Sequence, residues 1–61
     1  MSPVELTEPI RKEIFLALVE AQDQKLTVPQ SRKVVAERFG ITEKEVAIIE
    51  NEGNENDWPP L

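Results

Sequence analysis

The side chains able to do chemistry in this chain are carboxylates, amides, hydroxyls and 7 cations; the 61 residues include no histidine and no cysteine. Without histidine the commonest general base and metal ligand is missing. Without cysteine there is no disulfide and no thiolate metal site. The carboxylates do not fill the gap. Glu43 and Glu45 lie two residues apart and so do not share a helix face, which leaves no acid/base pair. Asn51, Glu52, Asn54, Asn56 and Asp57 offer oxygens, but not in the position pattern of a calcium loop. No catalytic residue, metal site or cofactor is expected, and an enzyme is the least favoured reading.

The formal net charge is −5, from 12 acidic and 7 basic residues. Nucleic-acid binders are usually basic, because phosphate neutralisation drives their affinity. The excess is unevenly spread, however. Residues 27–50 carry 4 cations and 4 carboxylates, whereas residues 51–61 carry only 3 carboxylates. Glu50, Glu52, Glu55 and Asp57 therefore read as a solvated, solubilising end.

Three helices are needed to position these groups. Thr7 is placed to cap the first, with Glu8 and Pro9 in its first turn, and a helix over about 8–23 follows. Ile10, Ile14, Leu18 and Ala21 form its apolar stripe, widened by Phe15, Ala17 and Val19. Leu16 falls off that stripe and is either a second contact surface or, the favoured reading, an ordinary exposed leucine. Thr27 with Gln30 makes a capping box, and Ser31 is a rival cap, so the second helix starts between Val28 and Arg32 and spans about 29–39. Gly40 sits where a left-handed residue ends a helix. Thr42 with Glu45 makes a second capping box, opening a helix over about 43–52 that closes before Gly53. The fold expected is all-α: a compact three-helix domain over 1–53, followed by an acidic, extended Trp/Pro tail over 54–61. No signal peptide or membrane-spanning run is evident, so a cytoplasmic location without membrane contact is expected.

The second and third helices meet the demands of a helix-turn-helix. Ala36 is the small residue at the crossing, and Gly40 makes the turn. Val35, Phe39, Ile41, Val46 and Ile49 supply the apolar wedge. The run Val35-Ala36-Glu37-Arg38-Phe39-Gly40-Ile41-Thr42, continuing through Val46 to Ile49-Glu50, resembles the helix-turn-helix of the C-terminal, promoter-reading domain of bacterial housekeeping sigma factors. The resemblance covers about Ser31–Glu50, a third of the chain. It implies a small transcription-related protein whose third helix binds DNA or an RNA-polymerase-associated protein. Thr42, Glu43, Lys44, Ala47, Ile48 and Asn51 would then face the groove. Thr42, Lys44 and Asn51 would face bases, with Arg32, Lys33 and Arg38 toward phosphate. The sigma-factor helix is rich in arginine and glutamine, where this chain has Glu43, Glu45, Ala47 and Ile48. Glutamate is repelled by phosphate although it can accept from cytosine, while alanine and isoleucine can meet a thymine methyl.

That departure opens an alternative: an acidic protein-interaction module that keeps the fold but not DNA binding. It would use Ala47, Ile48, Trp58 and Leu61, with a homodimer as one form. The tail itself has two readings. Trp58 and Leu61 fold back over Ala47 and Ile48, adding core and masking the third helix, or Trp58-Pro59-Pro60-Leu61 is a linear peptide that docks in a partner's groove.

Overall fold

The computed structural model describes residues 6–59. Three helices follow one another: α1 (Glu8–Asp23), α2 (Val28–Phe39) and α3 (Glu43–Glu55). Each packs against both of the others, and there is no strand among the described residues, so the domain is all-α. None of these helices is long and apolar enough to cross a membrane.

The capping residues set the helix starts. Thr27 accepts from the Gln30 N–H at 3.2 Å, and the Gln30 side chain accepts from the Thr27 N–H at 3.0 Å. Two of the orphan donors that any helix start leaves are thereby satisfied. Helix α2 thus begins at Val28 rather than at Ser31. Ser31 is instead fully buried, donating to the Val28 carbonyl at 2.8 Å and accepting from Gln22 Nε2 at 3.3 Å. Thr42 and Glu45 repeat the reciprocal box at the start of α3. Thr7 occupies the cap of α1 with extended backbone but makes no side-chain cap bond; Pro9 fits the first turn, where its missing N–H costs nothing.

The core is built from Ile14, Phe15, Ala17 and Leu18 of α1, Val35 and Ala36 of α2, and Val46 and Ile49 of α3. Leu6, Val19, Phe39 and Ile41 close its margins. Burying each large side chain stabilises the fold by about 1.5–3 kcal/mol relative to exposure. Ile10, expected on the stripe, is 40% exposed, and the first buried residue of α1 is Ile14, one turn later.

Helix α3 runs a turn beyond its expected end. Gly53 is a buried interior residue, not the stop, and the boundary expected at 53 falls inside the helix. The reason lies on α1: a Cβ at position 53 would run into the Phe15 ring, so α3 can lie this close only with glycine there. The helix ends instead at Asn56 and Asp57. Asp57 takes a left-handed backbone at φ 50°, and the Trp58 N–H donates to the Gly53 carbonyl at 3.0 Å.

This turn carries Trp58 back into the core, where it is 6% exposed. Its ring meets Phe15 edge-on, with centroids 6.2 Å apart and planes at 80°. The Lys12 Nζ lies 5.7 Å from its centroid. The fold-back therefore lands on α1, not over Ala47 and Ile48, and the segment from 56 to 59 is part of the folded domain. Leu61, the other residue assigned to the tail contact, lies outside the described residues.

Polar contacts tie α3 to both neighbours. Glu50 accepts from Arg32 of α2 at 2.6 and 3.0 Å and from Gln22 of α1 at 3.2 Å. Glu52 accepts from Arg11 Nε of α1 at 2.8 Å. Part-exposed pairs of this kind contribute only about 0.2–1 kcal/mol each, so they orient the helix more than they stabilise it.

Candidate nucleic-acid interface

The outer stripe of α3 is Lys44, Ile48, Asn51 and Glu55, spaced at i, i+4, i+7 and i+11, with Ala47 at its edge. Lys44, Asn51 and Glu55 are exposed, Ala47 is half-buried and Ile48 is 49% exposed. Glu55 joins the stripe only because α3 continues through Gly53. A helix ended at 52 hides this, and the signal that could have found it is the unbroken helical spacing from Lys44 onward.

The acidic character of α3 falls largely elsewhere. Glu45 is 7% exposed and inward, although its sequence position suggested the outward face. Its Oε1 accepts from the Thr42 N–H at 3.1 Å, as the capping box requires, while Oε2 is buried without a partner. Glu50 and Glu52 are taken up by Arg32 and Arg11. Among the described carboxylates of α3, this leaves Glu43 and Glu55 exposed and outside any ion pair. Glu43 lies in the first turn, where the helix dipole favours an anion.

The expected contact residues divide accordingly. Lys44 and Asn51 come together on the α3 stripe. Thr42 is exposed at its N-terminal end, but its hydroxyl already accepts from the Glu45 N–H at 3.1 Å. Lys33 is exposed on α2 and forms no ion pair among the described residues. Arg32 is held by Glu50 through two of its nitrogens. Arg38 is exposed, but it stands on the bank of α2 that faces α1, its guanidinium 5.6 Å from the Phe39 centroid. Of the residues expected to meet a protein partner, Ala47 and Ile48 are on the stripe, while Trp58 is enclosed beside Phe15. Gln22 and Arg11, which help set the position of α3, were not singled out from sequence, and Glu50 and Glu52, read there as part of a solvated end, are instead part-buried partners of Arg32 and Arg11. Their partners lie 9 to 41 residues away and depend on how the helices cross.

No group of three or more carboxylates that could hold a metal ion occurs among the described residues. The surface is thus a shallow helical stripe with one cation, one amide, two apolar side chains and, at its C-terminal end, the carboxylate of Glu55, open to a macromolecule.

No protein-family model matches the chain, and neither does any curated protein or solved structure.

Proposed function

We propose that this domain is a helix-turn-helix module of the transcription apparatus that engages DNA through the outer stripe of α3. The observation that carries the reading is that this stripe is left uncovered while the inner carboxylates of α3 are occupied. Trp58 packs on α1, Glu45 is withdrawn into the cap, and Glu50 and Glu52 are neutralised by arginines. Lys44 and Asn51 would meet base edges, Ala47 and Ile48 thymine methyls, and Lys33 phosphate. Arg32 and Arg38 are left out of this set, the first because of Glu50 and the second because it faces α1. The resemblance of Ser31–Glu50 to a sigma-factor promoter reader agrees with the assignment.

Titration of labelled duplex DNA at low salt tests it. Binding should weaken as salt rises, with a shallow slope, because only a few phosphates are neutralised. Lys44→Glu should abolish it. No binding at the lowest ionic strength would overturn the DNA reading. The half-exposed Ile48 favours one second reading, a protein surface of the same apparatus. There Ile48→Glu would release the partner and Lys44→Glu would matter less.

A further inference from the structure

A groove runs between α1 and α2, on a side to which α3 contributes no lining residue. It consists of two adjoining depressions of about 390 and 200 Å³. Ala17 forms the shared floor, with Ala21 continuing it, so another helix could approach closely. Leu16 and Val34 flank it at 42% and 47% exposure. Glu20 on the α1 bank and Arg38 on the α2 bank line both depressions, at the middle of the groove. Neither makes an ion pair within the described residues.

We propose that this groove is a homodimer interface, occupied by the same groove of a second copy. Symmetry and charge both favour that occupant. In a two-fold interface each residue that meets a different residue of the partner is met in return. A two-fold axis along the groove lays the α1 bank of one copy against the α2 bank of the other. Glu20 then faces the partner's Arg38, and Arg38 the partner's Glu20, giving two ion pairs at the middle of the groove, with Leu16 toward one end and Val34 toward the other. The banks are acidic and basic, so the face is complementary to itself despite the net charge of −5. A specific dimer buries at least about 1,000 Å² in total. That is roughly one-eighth of the 4,114 Å² surface of each copy, so the contact extends beyond the groove itself onto the outer faces of α1 and α2. The α3 stripe stays outside the contact, and the dimer inference does not depend on what that stripe binds.

The test is sedimentation of the full chain over a concentration series reaching the millimolar range, with the variants E20R and R38E. The wild type should pass from 6.9 kDa to twice that mass. Each variant alone should associate at least about tenfold more weakly, because like charges then meet at both ends of the pair. An equimolar mixture of the two should regain wild-type association, since one chain presents two cations and the other two carboxylates across the groove. Both positions are exposed, so the fold should persist, as unchanged Trp58 emission would show. Leu16→Glu should weaken the dimer too. A wild type that stays at monomer mass throughout, a mixture no stronger than its components, or undiminished dimerisation of Leu16→Glu would each overturn the proposal.

Discussion

At the end of α2, Gly40 takes a left-handed backbone at φ 68°, and the Ile41 N–H closes on the Ala36 carbonyl at 3.0 Å. At the end of α3, Asp57 does so at φ 50°, and the Trp58 N–H closes on the Gly53 carbonyl at the same distance. The hydrogen-bond pattern is shared: the amide just past the left-handed residue reaches back five residues to a carbonyl of the last helical turn. What differs is how the left-handed residue is kept there. Gly40 adopts that conformation without a Cβ penalty. Asp57 bears a cost of about 1 kcal/mol, and the tryptophan that follows it, anchored on Phe15, offsets that cost. One corner is thus set locally by glycine, the other by burial of a distant partner.

The largest test of that contrast is Trp58→Ala. It should cost about 3 kcal/mol, within the range for deleting a buried tryptophan, and so remove a large part of a small domain's stability. Urea unfolding followed by far-UV circular dichroism measures it; a loss under about 1 kcal/mol would mean the α3 corner does not rest on this anchor. Next is Gly53→Ala. Glycine-to-alanine inside an exposed helix normally stabilises by about 1 kcal/mol. Here it should destabilise by about 2 kcal/mol, because the new methyl meets the Phe15 ring. The sign of the shift in the urea midpoint, followed by Trp58 emission, decides. Smallest is the reciprocal pair at the two left-handed positions. Gly40→Ala should cost about 1–2 kcal/mol through backbone strain alone, since nothing lies within 4 Å of the added carbon. Asp57→Gly should gain up to about 1 kcal/mol. Equal and negligible shifts at both sites would erase the distinction between the corners.

The two corners also show where the sequence was legible. Local rules recovered the α2 corner, both capping boxes and the inward Val35, Ala36, Val46 and Ile49, because each depends on residues within about one turn. The α3 corner was not recoverable in the same way. Gly53 resembles a stop, since its true reason is a phenylalanine 38 residues earlier in the chain. Asp57 gives no sign of a left-handed backbone. Trp58 was rightly a candidate for folding back, but its site beside Phe15 and Lys12 follows from the crossing of α1 and α3. On the outer stripe of α3, the spacing of Lys44, Ile48 and Asn51 was readable. The loss of Arg32 to Glu50 was not, because it is set by packing between helices, whereas the withdrawal of Glu45 follows from the local capping box with Thr42.

The two ion pairs of α3 have a consequence for recognition. Glu50 and Glu52 project about 200° apart around the helix axis, one toward Arg32 of α2 and the other toward Arg11 of α1. Rolling α3 about its own axis in either sense would stretch one pair. The stripe is consequently pre-set in azimuth before any partner arrives, and whatever docks there does not bear the entropy of choosing among helix rotations.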